Sequence, residues 1–110
     1  MRSASALLSH NEVKRVALVV EDGCAACNES VAKYVAAAQG AKNATFAVDV
    51  FVRKTGNNDA VLRQWVSANK VPIALIQNKR ITINHGDKYA QGAVPQVWQL
   101  RGDSQWTRER

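Results

Sequence analysis

The chain has two cysteines, Cys24 and Cys27, separated by two residues in the stretch EDGCAACNES. This stretch begins with two carboxylates, Glu21 and Asp22. A Cys-x-x-Cys pair serves in thiol–disulfide exchange, in zinc sites, or as a structural disulfide. The elements around the pair must decide among these three kinds of chemistry.

The cysteines lie between a predicted strand and a predicted helix. The valine-rich run 14–20 is typical of a strand buried on both faces of a parallel or mixed sheet. After the pair, apolar residues recur with helical spacing at Cys27, Val31, Tyr34, Val35 and Ala38. Glu29 is expected in the first turn of this helix and Gly40 just past its end. The pair is therefore expected at a helix N-terminus.

That position favours redox chemistry. Unpaired backbone N–H groups and the positive end of the helix dipole stabilise a thiolate at Cys24. Cys27, one turn further on, is close enough to resolve a mixed disulfide. Glu21 and Asp22 oppose a thiolate if they point toward it, so we expect a moderate stabilisation.

The two other uses of such a pair are a zinc site and a structural disulfide. Structural zinc requires four ligands, and the only further candidates are His10 and His85, which lack zinc-finger spacing. We therefore expect neither a metal nor a cofactor. A structural disulfide stays open as an alternative, although a bridge that closes so small a loop contributes little stability.

The rest of the chain predicts further strands and helices. A β-rich run spans 44–52, and a helix is expected from Asp59, as its N-cap, to Asn69. The expected buried stripe of this helix consists of Val61, Leu62, Trp65, Val66 and Ala68. Trp65 is interpreted as a core residue.

The last third of the sequence predicts a connector followed by a hairpin. Residues 71–76 suit either a strand or a short helix opened by Pro72, and 81–84 suit a short strand. Residues 94–100 alternate as a half-buried strand does, 101–104 form a turn, and 105–107 return. The order β-α-β-α-connector-β-β predicts an α/β fold. Trp98 and Trp106 are expected to pack the hairpin onto the sheet.

Composition and charge bound the function classes. The 110 residues suit a flexible lead-in over 1–12 and a single domain over 13–110. The net charge is +6, but the basic residues are scattered, so a nucleic-acid partner is not favoured. No apolar run approaches the roughly 18 residues of a membrane span, and the N-terminus lacks the apolar region of a signal peptide. We therefore expect no membrane span.

With a Cys-x-x-Cys pair at a strand–helix junction, residues 14–107 resemble the thioredoxin-like superfamily. The resemblance implies a three-layer sandwich, here with little or no C-terminal helix, and a cis proline that faces the dithiol. Pro72 and Pro95 are the candidates. Pro95 is preferred, because 92–98 looks like the Gly-x-Val-Pro start of an inner strand and a hairpin follows. Val94 and Pro95 would then bind substrate.

Shorter pieces resemble a family of small uncharacterised proteins encoded on bacterial integrating conjugative elements. These pieces are 22–27, 59–65, 81–85 and 94–95. The resemblance implies a role in conjugative transfer, with a protein dithiol or disulfide as substrate. It also implies a periplasmic location after removal of a leader, with the cytoplasm as the alternative.

Two departures from thioredoxin keep a second function open. No Trp precedes Cys24, and no Gly-Pro separates the cysteines. The alternative to an oxidoreductase is a thioredoxin-like adaptor with a structural Cys24–Cys27 disulfide. If Pro95 faces the cysteines, His85 would lie near them and accept a thiol proton; otherwise it is an ordinary loop histidine.

Overall fold

A computed structural model describes residues 13–41, 45–102 and 105–109. These ranges form five strands, three α-helices and one 3-10 turn. In chain order they are β1 Val13–Glu21, α1 Ala25–Gly40, β2 Ala47–Arg53, α2 Asp59–Ala68, α3 Ile73–Gln77, β3 Ile81–His85, the 3-10 turn Asp87–Tyr89, β4 Gln96–Arg101 and β5 Trp106–Glu109. All five strands belong to one mixed sheet, in the order β3-β2-β1-β4-β5. The predicted α/β class is confirmed.

Strand β1 is the centre of this sheet. It runs parallel to β2 and antiparallel to β4, and β3 and β5 extend the sheet on the two sides. Val16, Leu18 and Val20 on β1 are completely buried. Burying each such side chain contributes about 1.5–3 kcal/mol, so the valine-rich run that predicted a buried strand also explains its central position.

All three helices pack on one face of the sheet. Side chains alternate between the faces of a strand, and the buried even-numbered residues of β1 share one core cluster with residues of all three helices. Both crossovers, from β1 to β2 and from β2 to β3, step in the same direction. Right-handed crossovers then place their helices on the same face. The described ranges form a two-layer α/β sandwich, so the expected three layers are wrong for this part of the chain.

The other face of the sheet carries a groove of about 350 Å³. Its lining is mostly apolar and aromatic and consists of Ala17, Val19, Asp49, Phe51, Tyr89, Gln96, Trp98 and Trp106. Trp106 is 46% exposed, so the packing of the hairpin expected from this residue is only partial. Beside the groove, Arg15 donates two hydrogen bonds to Asp49, at 2.6 and 2.9 Å.

The ends of α1 differ from the sequence expectation. The helix begins at Ala25, its first turn contains no acidic residue, and Glu29 follows that turn. Gly40 is the last helical residue rather than the residue after the end, and Ala41 caps the helix in an extended conformation. The apolar spacing predicted the buried face of α1 correctly, with Val35 only partly buried.

The second helix is capped one residue earlier than expected. Asn58, not Asp59, is the N-cap, and its side chain accepts the N–H of Ala60 at 2.9 Å. Trp65 is 2% exposed, which confirms it as a core residue. Ala68 is exposed, so it does not belong to the buried stripe.

The connector contains a helix and a strand. Pro72 is the N-cap of α3, so the helical alternative for 71–76 is the correct one. The predicted strand of 81–84 is found as β3 and extends to His85. Strands β4 and β5 pair as the predicted hairpin. The turn residues 103–104 and the lead-in 1–12 lie outside the described residues.

Gly86 is required by a close approach to the middle of β2. A Cβ at this position would lie 2.8 Å from the carbonyl carbon of Phe51 and 2.9 Å from its Cβ. The Gly86 N–H also donates to the Val52 carbonyl oxygen at 2.8 Å. Backbone atoms cannot move aside as a flexible side chain can. The chain just after β3 can therefore approach β2 this closely only at a glycine.

We therefore expect Gly86→Ala to lower the free energy of unfolding by about 1–3 kcal/mol, as overpacking does. Gly40→Ala is the matched control, because its Cβ would meet open space and should stabilise the helix by about 0.4–1 kcal/mol. Urea unfolding followed by circular dichroism measures both. Equal unfolding midpoints for the two variants would contradict the prediction.

Candidate functional site

The candidate site lies at the end of the sheet where the parallel strands β1 and β2 finish. We call this end of the sheet the dithiol edge; it is not one of the outer strands β3 and β5. Glu21 and Arg53, the last residues of β1 and β2, are paired in register. Strand β4 runs the other way and starts at this edge, with Gln96 opposite Val19. Ligands of open α/β sheets bind outside the carboxyl ends of strands, where the strand order reverses. Cys24 follows β1 and Pro95 precedes β4, so both belong to this edge.

Cys24 is the N-cap of α1. Gly23 adopts a φ of +79°, which turns the chain sharply between β1 and the helix. The Cys24 Sγ then accepts a hydrogen bond from the Cys27 N–H at 3.1 Å. The helix that follows has 16 residues, so its free N–H groups and dipole act on this sulfur. The predicted helix N-terminal location of the pair is thus found.

The two cysteines form a disulfide, with their Cα atoms 5.1 Å apart. Their environments differ strongly. Cys27 is 0% exposed and belongs to the buried face of α1, whereas Cys24 is only partly buried. A partner in solution can therefore approach Cys24 but not Cys27. This asymmetry is what an attacking and a resolving cysteine require.

The Glu21 carboxylate is compensated by two cations. Its Oε1 accepts hydrogen bonds from Arg53 Nε at 2.9 Å and Nη2 at 2.5 Å, and Lys54 Nζ lies 3.7 Å away. The Arg53 side chain is 8% exposed, whereas Lys54 is 80% exposed. Breaking a buried pair costs about 3–5 kcal/mol, but an exposed pair contributes at most about 1 kcal/mol. Arg53 is therefore the dominant partner.

This pairing changes the role expected of the two acidic residues before Cys24. Glu21 is paired with Arg53, so it does not act as an uncompensated negative charge at the site. Asp22 is exposed at the turn. The sequence contained one signal for the pairing, namely opposite charges at the ends of two predicted strands.

Val94 and Pro95 lie just before β4, and the peptide bond that joins them is cis. Both residues are partly buried, and Val94 packs against the same core cluster as Cys24. Pro72, the other candidate, instead caps α3. The structure thus brings Cys24, Cys27, Val94 and Pro95 to one edge of the sheet.

His85 does not join the cysteines. It is the last residue of β3, and β2 lies between β3 and β1. Its Nδ1 is 2.5 Å from Thr55 Oγ1 and its Nε2 is 2.7 Å from Asp59 Oδ1. Both ring nitrogens are therefore engaged away from the sulfurs, and His85 is a strand residue rather than a loop histidine.

Asp87 was not singled out by the sequence, but it anchors the connector beside the site. Its carboxylate accepts the N–H of Thr55 at 2.8 Å, the N–H of Asn57 at 3.2 Å and the Thr55 hydroxyl at 3.0 Å. The Thr55 N–H is the main cause, and the other hydrogen bonds add to it, so the pKa of Asp87 lies below its ordinary value. No sequence pattern links these residues, because the contact joins different loops.

Within the described ranges, no group of three or more His, Cys, Asp or Glu side chains could hold a metal ion. No described helix is both long and apolar enough to cross a membrane. The chain matches no known family model, no curated protein and no solved structure. Its chemistry must therefore be argued from this geometry.

The lowered pKa of Asp87 predicts how stability changes in acid. A carboxylate whose folded pKa lies below its unfolded value of about 3.9 stabilises the fold above that value. This contribution is lost as the pH falls through the folded pKa.

Asp87→Asn should lower the free energy of unfolding at pH 7 and flatten its decline between pH 5 and pH 2. Urea unfolding at a series of pH values measures this. Parallel curves for variant and wild type would contradict it.

Proposed function

We propose that this chain is a thioredoxin-like thiol–disulfide oxidoreductase in which Cys24 exchanges with a protein substrate. The observation that carries the proposal is the difference between the two sulfurs: Cys24 is partly exposed at a helix N-terminus, and Cys27 is buried one turn further on. The sheet order around β1 and the position of Pro95 beside the dithiol edge support a thioredoxin-like arrangement.

The proposed reaction is a two-step exchange. In the reduced chain, the Cys24 thiolate attacks one sulfur of a substrate disulfide, and the other substrate sulfur leaves as a thiolate. The Cys27 thiolate then attacks Cys24 Sγ, which forms the Cys24–Cys27 disulfide and releases the second substrate thiolate. Two electrons pass from the chain to the substrate, and the two protons lost by Cys24 and Cys27 end on the substrate thiols. The relative reduction potentials decide the net direction.

The proposed setting is the conjugative transfer apparatus of a bacterium, with a protein dithiol or disulfide of that apparatus as the substrate. The resemblance of several short segments to proteins of integrating conjugative elements supports it. The periplasm is the proposed compartment, because disulfides persist in oxidising environments.

The proposal predicts opposite outcomes for the two cysteine variants. Cys24→Ser should abolish exchange with insulin and with oxidised glutathione, since no attacking sulfur remains. Cys27→Ser should form a mixed disulfide with insulin that persists until dithiothreitol is added, because the resolving step is lost. Non-reducing gels and a turbidity assay measure both. Ala36→Ser, on the exposed side of α1, is the control. Unchanged turnover in Cys24→Ser would refute the enzyme.

A second candidate function is a thioredoxin-like adaptor with a structural disulfide. It is favoured by the open apolar face, where Trp106 and Tyr89 are 46% and 38% exposed. Such a face suits contact with another protein. The adaptor would bind its partner through this groove, and the disulfide would only brace the start of α1.

The reduction potential separates the two functions. A structural disulfide has a potential below about −300 mV and resists the glutathione pool, whereas a catalytic pair is more oxidising. Equilibration with glutathione buffers, followed by alkylation and mass spectrometry, gives this value. We expect a potential above about −270 mV, the value of thioredoxin, for the proposed enzyme. A value below −300 mV would favour the adaptor.

A further inference from the structure

The segment that carries Val94 and Pro95 has no secondary structure of its own. It lies between the 3-10 turn and β4, where no helix or strand is formed. Its position at the same end of the sheet as the cysteines must therefore come from contacts with other parts of the chain. Any side chain that provides these contacts affects what Pro95 presents to a substrate.

Arg53 provides three hydrogen bonds to this segment and to the residue before it. Its Nη1 donates to the carbonyl oxygens of Tyr89 at 3.1 Å, Gln91 at 3.4 Å and Gly92 at 3.1 Å. Its Nε and Nη2 donate to Glu21 on the opposite side of the guanidinium. One buried side chain thus joins the end of β1, three residues before Cys24, to the segment just before Val94.

We propose that Arg53 is the positioning residue of the exchange reaction, holding the segment with Val94 and Pro95 at the distance from Cys24 that a protein substrate requires. This inference rests on the proposed function, since it needs Cys24 to react with a bound polypeptide. In this proposal Arg53 acts through the backbone of residues 89–92, to which its hydrogen bonds are made.

The geometry requires arginine at this position. The guanidinium is planar and offers five N–H donors in a fixed fork, which allows it to bond a carboxylate on one side and carbonyl oxygens on the other. A lysine has a single nitrogen and cannot reach both groups together. Because Arg53 is buried, water cannot easily replace the lost donors, so the carbonyl groups of the segment would reorganise.

Two other contacts lie at or beside the same segment. Asp87 binds the loop after β2, before the segment begins. Gln96 Nε2 donates to the Gln91 carbonyl oxygen at 2.9 Å, where β4 starts. Loss of Arg53 should therefore displace the backbone at Tyr89 and Gly92, while Gln96 still holds Gln91 and the fold persists.

The test compares Arg53→Lys with wild type on a large and a small substrate. Insulin needs the surface formed by Val94 and Pro95, whereas oxidised glutathione needs little beyond Cys24. Arg53→Lys should raise KM for insulin at least about tenfold, since small misplacements near a reacting group have effects of this order or larger. The rate with oxidised glutathione and the equilibrium constant of the cysteine pair with glutathione should stay within about twofold of the wild-type values.

Arg63→Lys is the matched control, because Arg63 is exposed on α2, and it should match wild type on both substrates. An equal loss on insulin and glutathione would show that Arg53 is merely structural, and no change on either would also overturn the proposal. If wild type exchanges with neither substrate, the proposed function itself fails, which is a different result.

Glu21→Gln keeps the inference testable if Arg53→Lys does not fold. This variant leaves the Arg53 donors to the segment in place and removes only the charge that orients the guanidinium. We expect KM for insulin to rise by about two- to threefold, a smaller misplacement than in Arg53→Lys. KM is the readout here, because the uncompensated charge of Arg53 also favours the Cys24 thiolate and so changes the rate with glutathione. An insulin KM equal to that of wild type would contradict the link between β1 and the segment.

Discussion

Hydrogen bonding on both sides of β1 is the constraint on which the rest of this structure depends. One side pairs in parallel with β2 and the other antiparallel with β4. A strand used in this way must be buried, and the apolar residues of β1 satisfy that demand. The same arrangement places the end of β1 beside the start of β4. Cys24 and Pro95, which are 71 residues apart in the sequence, thereby come to the same end of the sheet.

Opposite charges and backbone groups compensate the charged side chains at this edge. Arg53 is buried, and it satisfies its donors with a carboxylate and three carbonyl groups. Asp87 likewise receives backbone N–H groups from the loop after β2. Desolvation makes an unpaired buried charge far more costly than an exposed one. The polar contacts at the edge therefore hold irregular segments that hydrophobic packing alone would leave loose.

The direction of chain crossovers explains why the layers differ from expectation. The apolar stripes of the helices indicate that each helix packs on a sheet, but a stripe contains no information about which face it covers. Strand β3 adds to the outer side of β2, so both crossovers turn the same way and their helices share a face. The face that carries Trp98 and Trp106 is left without a helix in the described ranges.

The sequence by itself determined most of the strands and helices and the place of the cysteine pair at the start of α1. Local spacing and composition were sufficient for the buried strand β1, for α1 with Cys24 at its start, for the core position of Trp65 and for the final hairpin, because these depend on neighbours in sequence. Only the tertiary structure decided that Glu21 turns to Arg53, that His85 bonds Thr55 and Asp59, and that Arg53 holds the segment before Pro95. Those contacts join residues 26 to 39 positions apart, and their geometry is set by strand register and loop path, which no local pattern encodes.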